Sequence, residues 1–226
     1  IVDQHEQPPR IGNHLVEDRA PLLAGATTVL YEGKPVGTPD AGAFWRVIAE
    51  HRVNALFTAP TAFRAIKKED PDGVLIGDYD LTRLRTLFLA GERLDPDTYH
   101  WATDTLGVPV IDNWWQPETG GHMITPWPGV TTTKPGSACG PIPGVFIELV
   151  DDEGRTVERG GGYLTITKPW PSMLRGIWGA PERYADTYWS RFEGRYFAGD
   201  GAKFDDDGYL WLLGRVDDVM NVSGHR

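Results

Sequence analysis

The sequence contains one cysteine, Cys139, in 226 residues. A lone thiol excludes an internal disulfide framework and fits a reducing compartment, so a cytoplasmic location is expected. No run approaches the roughly 18 consecutive apolar residues that a membrane span needs. A charged-then-apolar leader ending in a small-residue cleavage site is also missing, so no secretory signal is expected. The six histidines show no metal-ligand spacing, and neither a Cys/His cluster nor a G-x-S-x-G elbow occurs. Metalloenzyme and serine-hydrolase readings therefore lose their support. Cations are outnumbered, with 22 Lys and Arg against 32 Asp and Glu for a net charge of −10. That balance argues against a nucleic-acid surface, which needs clustered Lys and Arg. A small anionic ligand stays open, since a few placed cations and backbone N–H groups suffice for one.

What is present is ordinary in bulk and unusual in two residue types. Hydrophobic residues make up 40% and charged residues 24%, which suits a soluble globular chain able to bury a core. Glycine (27) and tryptophan (9) stand out. The glycines and prolines are spread among strand-like segments, which indicates many tight turns rather than low complexity.

Residues 1–19 show no clear period. Leu22–Tyr31 reads as a helix end followed by a short buried strand, broken at Glu32-Gly33-Lys34-Pro35. Asp40 is suited to cap a helix with Phe44, Val47 and Ile48 on one face. Ala55–Pro60 reads as a strand, Thr61–Lys68 as a helix, and Leu84–Gly91 as another strand. Asp95 or Asp97 can cap a helix running through Leu106, before the next strand at Val108–Asp112. This alternation predicts an α/β fold with a parallel sheet layered by helices. Ligands gather beyond the carboxyl ends of such strands, where Thr58-Ala59-Pro60, Gly91-Glu92-Arg93 and Asp112–Gly121 fall.

After Pro126 the texture changes to short alternating runs, Val145–Val150 and Tyr163–Thr167 among them, separated by Pro-Gly and Gly-Gly turns. That pattern predicts a β-rich, barrel-like or sandwich subdomain. The expected organisation is an α/β subdomain over residues 1–125, a β-rich subdomain over 126–213 and a hinge over 214–226.

Three segments carry candidate chemistry. Asp112–Gly121 sets Trp114 and Trp115 side by side in a polar, glycine-ended loop. One indole can stack on a purine while the other walls off a small apolar group. Glu118 is suited to hold Mg²⁺ and the Thr119 hydroxyl to bond a phosphate. A core-packing tryptophan pair is the alternative, and residue chemistry alone favours it. In Tyr196–Gly201, Asp200 lies between glycines and can accept both hydroxyls of a ribose diol, though a β-turn is equally readable. Asp206-Asp207-Gly208 reads as a turn, and the EF-hand pattern is incomplete there. The third, Gly214–Arg226, alone reads as a polar surface loop. Thr131–Gly136 imitates a phosphate loop but lacks the G-x-x-x-x-G-K-[ST] spacing, so a solvated turn is expected.

Taken in order from about Ala20 to Arg226, these segments resemble the adenylate-forming acid–CoA ligases of the acetyl- and propionyl-CoA synthetase type. The resemblance is carried by Pro21–Thr28, Thr58–Ala62, Ala90-Gly91-Glu92, Trp114–Pro126, Gly199-Asp200-Gly201, Gly214–Asp218 and Asn221–Arg226. It implies a two-step reaction on small-molecule substrates. A carboxylate attacks the α-phosphate of ATP and releases pyrophosphate, and the coenzyme A thiol then displaces AMP from the acyl-adenylate, with Mg²⁺ assisting. It also implies Gly91, Glu92, Asp112, Trp114, Gln116, Asp200 and Arg215 as nucleotide contacts. Trp115 would close a pocket for two or three acyl carbons, and Glu118 would hold the metal. Asp217 would be the hinge, Ser223 would face coenzyme A, and Arg226 would face phosphate as a catalytic residue beside Glu118.

The chain departs from the family pattern in three ways. Pro117 stands where the family has a threonine that bonds the α-phosphate. Residues 11–19 match poorly, with only His14 aligning where an acyl-pocket segment is expected. An upstream phosphate loop and a downstream lysine domain are missing, so the chain is expected to be a fragment that is inactive alone. A non-catalytic nucleotide-binding or interaction protein derived from such an enzyme is the alternative. A Trp-rich carbohydrate module is a third reading, and it leaves the α/β half unexplained.

Overall fold

The computed structural model describes residues 21–22, 24–127 and 129–216. Helix α1, Ala43–His51, buries Phe44, Val47 and Ile48 on one face, with Ala43 and Trp45 also buried. Asp40 sits before it, and its Oδ1 accepts the Gly42 N–H at 2.8 Å. Strand β1 covers Ala55–Thr58 and leads directly into helix α2, Pro60–Glu69, which has proline in its first turn. A proline there is tolerated because that N–H has no helical acceptor. Strand β2, Thr86–Leu89, precedes helix α3, Pro96–Leu106. Of the two candidate caps for α3, Asp95 does the work, its side chain accepting the Thr98 N–H at 2.8 Å. Strand β3 is Val110–Asp112.

β1, β2 and β3 form a parallel sheet in that order, with Phe57 beside Phe88 and Phe88 beside Ile111. Alternation along the strands turns Leu56, Leu87 and Leu89 into a core that includes Trp45, Phe63, Ile66 and Trp101. Each such aliphatic side chain contributes roughly 1.5–3 kcal/mol on burial. Phe57 and Phe88 point the other way and are half-buried. The strand expected near Tyr31 is not formed: residues 26–31 are irregular backbone, and all six are partly or fully exposed. A strand is defined by its neighbour, and an apolar run cannot show whether one is present.

The second half is an open antiparallel sheet of β4 (Ile147–Val150), β5 (Gly160–Ile166), β6 (Tyr196–Phe204) and β7 (Leu210–Arg215), in that order. The β-rich expectation holds, but the sheet does not close into a barrel among the described residues. Helix α4, Pro181–Tyr188, packs on β6. The core beneath this sheet includes Met123, Ile124, Leu149, Leu164, Trp170 and Tyr196. Isolated bridges Trp114 to Ile124, Ile124 to Pro141 and Cys139 to Leu210 stitch the loop after β3 onto the β-rich half. Cys139 is buried there, and its carbonyl accepts the Leu210 N–H at 2.9 Å. Among the described residues no helix is long and apolar enough to cross a membrane.

Candidate functional site

The parallel sheet ends where the antiparallel sheet begins, and a cavity of about 500 Å³ lies between them. Gly91, Glu92 and Arg93 beyond β2, Asp112–Glu118 beyond β3, and Asp200, Gly214 and Arg215 from β6 and β7 border it. Of the three strand ends expected to converge, two line this space. Thr58–Pro60 do not, although the next residue is tied to the wall: Glu92 Oε1 accepts both the backbone N–H and the hydroxyl of Thr61 at 2.5 Å. Glu92 thus caps α2, whose own preceding residue Ala59 has no acceptor to offer. Its second oxygen pairs with Arg64 at 2.6 Å. Gly91 adopts φ +93°, a conformation that disfavours a side chain, and a Cβ there would meet open space.

The loop after β3 is fixed by a one-turn 3₁₀ segment, Pro117–Thr119. Thr119 is fully buried, and its hydroxyl accepts the Gln116 N–H at 3.0 Å. The same oxygen lies 2.8 Å from the carbonyls of Gln116 and Gly121, so the expected phosphate role for this hydroxyl is corrected to a loop-closing one. Pro117 begins the turn and is exposed. Glu118 borders the cavity, its Oε1 accepting the Tyr188 hydroxyl at 2.6 Å. Burial and the Glu118 carboxylate hold the Tyr188 phenol well above its usual range, so it stays a donor.

Asp200 is only 7% exposed, and its Oδ2 accepts from the Gln116 amide at 2.8 Å and the Trp114 indole at 3.3 Å. The Gln116 amide also donates to the Ala198 carbonyl at 2.6 Å and accepts the Tyr196 hydroxyl at 3.0 Å. The Arg215 guanidinium donates to the same Ala198 carbonyl at 3.0 Å. It lies so close to Gly199 that a Cβ on that residue would sit 2.6 Å from Nη2. Asp112 borders the cavity, and burial raises its carboxyl to about 7, with the Asn113 N–H and the Arg93 charge opposing.

Trp115 also lines the cavity and meets Phe57 edge-on with centroids 6.4 Å apart. His122 completes this aromatic group, 6.3 Å from Trp115 and 6.0 Å from Phe57. Burial lowers the His122 pKa and keeps the ring neutral. Both tryptophans therefore border the cavity, and Trp114 also packs against the core of the β-rich half. Lys134, from the loop that imitates a phosphate binder, pairs with Asp205 at 2.5 Å and Asp207 at 2.7 Å. Asp217, Ser223, Arg226 and His14 lie outside the described residues.

Sequence reasoning missed His122, Tyr188 and Tyr196 as supports of this loop. Their partners Trp115, Glu118 and Gln116 were all singled out, but the last two are 70 and 80 residues away from the tyrosines that hold them. No local signal marks such pairs.

The sequence matches the family described as AMP-binding enzyme over residues 13–178. It is 56% identical over 209 residues to acetyl-coenzyme A synthetase of Streptomyces coelicolor, covering 91% of this chain and 32% of that protein. It is 50% identical over 210 residues to the protein of that name from Chlorobaculum tepidum, covering 91% and 31%. The chain thus spans about a third of the length of the curated relatives it matches. The fold is similar to that of the anthranilate CoA ligase AuaEII in complex with anthranoyl-AMP. That match has a TM-score of 0.72 and 28% identity, and covers 89% of this chain and 36% of the other.

Proposed function

The chain belongs to the AMP-binding enzyme family, and on that premise we propose that it is part of a short-chain acyl-CoA synthetase. The reaction is acetate or propionate with ATP to acyl-adenylate and pyrophosphate, then transfer of the acyl group to coenzyme A with release of AMP. Supporting this reading is the convergence on one cavity of Gly91, Asp112, Trp114, Trp115, Glu118, Asp200 and Arg215, drawn from both halves of the fold. In it, Trp114 offers a flat apolar face to adenine and Asp112 an acceptor for its amino group. Asp200, oriented by two donors, accepts the ribose hydroxyls, with Arg215 and Gln116 beside it. Glu92 borders the adenine end through its backbone, since its carboxylate is engaged by Thr61 and Arg64. Trp115, backed by Phe57 and His122, limits acyl length.

The donor set fits Mg²⁺ that arrives with ATP. No group of three metal-ligating side chains exists among the described residues. Of the four acidic residues bordering the cavity, Glu92 is engaged by Thr61 and Arg64, Asp200 by Trp114 and Gln116, and Asp112 is raised by burial, which leaves Glu118 as the carboxylate for a metal. Magnesium is commonly held by one or two carboxylates together with substrate phosphates and water. When bound it neutralises phosphate charge during attack on the α-phosphate. The protein's own task is alignment: a bound carboxylate and nucleotide held in one cavity react as a single molecule would. Arg226 on phosphate, Ser223 at coenzyme A and Asp217 as hinge complete the proposed set.

The remaining parts of the enzyme, upstream and downstream, are proposed partners of this segment, in a soluble cytoplasmic protein. Isothermal titration with AMP, ATP and a panel of sugars tests the reading. Adenine nucleotide binding that is lost in Asp200→Ala is expected, and binding of sugar instead of AMP would overturn it. One observation favours a second reading, a non-catalytic nucleotide binder: Pro117 brings neither hydroxyl nor N–H to the loop beside Glu118.

A further inference from the structure

Glu118 lies on a short loop segment, and its grip comes from a distant part of the chain. The Leu174 N–H donates to its carbonyl at 2.9 Å, and the Leu174 carbonyl accepts the Tyr184 hydroxyl at 2.9 Å. Tyr188, the last residue of α4, donates to Glu118 Oε1 at 2.6 Å. Its ring stacks on Tyr196 with centroids 5.4 Å apart and planes 9° apart. Tyr196 is 1% exposed and itself holds Gln116 through its hydroxyl. The phenol of Tyr188 is thus fixed in place before it fixes the carboxylate.

We infer that Tyr188 is a positioning residue for Glu118, binding one carboxylate oxygen and leaving the other for the magnesium ion that accompanies ATP. The inference rests on the metal-binding reading of Glu118 given above. Tyr188 is not among the residues lining the cavity, so it acts through Glu118 rather than on nucleotide. The residue type suits the task. An arginine or lysine in this place would fix the carboxylate but also neutralise it and compete with the cation. A phenol donates one hydrogen bond and leaves the negative charge in place. Groups that orient a metal ligand in this way typically change metal affinity by about 10–100-fold when removed.

Tyr188→Phe keeps the stacking ring and removes only the hydroxyl. In the full chain, AMP affinity in EDTA and the Mg²⁺ midpoint for ATP binding are measured by calorimetry, with Mn²⁺ bound to the ATP complex read by electron paramagnetic resonance. The expected result is AMP affinity within two-fold of the parent and a Mg²⁺ midpoint raised about 10-fold. Glu118→Gln should raise it at least as far, and the double variant should add nothing further, as for residues acting through one contact. An unchanged Mg²⁺ midpoint in Tyr188→Phe overturns the inference and leaves the nucleotide site standing. Equal losses for AMP and Mg-ATP also overturn it, by showing a general role in loop structure. A parent chain that binds neither AMP nor ATP removes the underlying reading instead.

Discussion

The indole N–H of Trp114 meets Asp200 Oδ2 at 3.3 Å, joining two residues 86 positions apart across the boundary between the parallel and antiparallel sheets. The Gln116 amide reaches the same oxygen at 2.8 Å. Two neutral donors from the loop after β3 therefore orient the carboxylate of β6, and Gln116 extends the same set of hydrogen bonds to Ala198 and Tyr196.

Asp200→Ala leaves both donors without this acceptor. Leaving buried donors unsatisfied costs about 1–3 kcal/mol, so a lower urea midpoint is expected. AMP affinity should fall as well, because the proposed ribose acceptor is gone. An unchanged midpoint would show that Trp114 and Gln116 find other acceptors.

Asp112 gives a pH dependence with a definite sign. Its folded-state carboxyl is raised to about 7 by burial, above an unfolded value of about 4. The folded protein binds this proton more tightly, so the contribution is full below about pH 4 and is lost as pH rises to about 7. Asp112→Asn should flatten stability over that window and gain relative to the parent above it, read by denaturant unfolding across pH. AMP affinity of the parent should rise over the upper part of the window, as the acceptor for the adenine amino group becomes fully ionised. Parallel stability curves for parent and variant would show that Asp112 does not titrate there.

Pro117→Thr restores a hydroxyl beside Glu118. In a chain with the full length of its relatives, adenylation measured by pyrophosphate exchange should rise about 10²–10³-fold, by analogy with an oxyanion donor. No rise would show that a hydroxyl at this position does not limit adenylation.

Gly199→Ala tests how closely Arg215 approaches β6. Gly199 has φ +76°, and the added Cβ would lie 2.6 Å from the guanidinium. Backbone strain and displacement of Arg215 together should cost about 1–3 kcal/mol. Differential scanning calorimetry should show a Tm lower by roughly 3–10 °C.

The helices and strands of the first half were legible because their signals are local. Asp95 stands one residue before its helix, and Phe44, Val47 and Ile48 repeat at helical spacing. The site was legible as a set of segments, since strand ends bring Gly91, Asp112 and their neighbours together by topology. The contacts between those segments were hidden. Glu92 reaches Thr61 over 31 residues and Tyr188 reaches Glu118 over 70, and no periodicity encodes such meetings. Thr119 misled for the opposite reason: its hydroxyl suits a phosphate in composition but closes its own turn in geometry. The strand expected near Tyr31 depends on a neighbour that an apolar run does not specify.

The single thiol has a practical consequence. Cys139 is 5% exposed beside the start of β7, tied to Leu210, and burial raises its pKa further from reactivity. A buried, weakly ionised thiol alkylates slowly, and it would alkylate faster if that edge lifted away. With no second cysteine to contribute signal, the labelling rate becomes a clock for opening of the β7 edge. Because Arg215 lies on the same strand and borders the cavity, slowing of that clock by AMP would register nucleotide capture without any added probe.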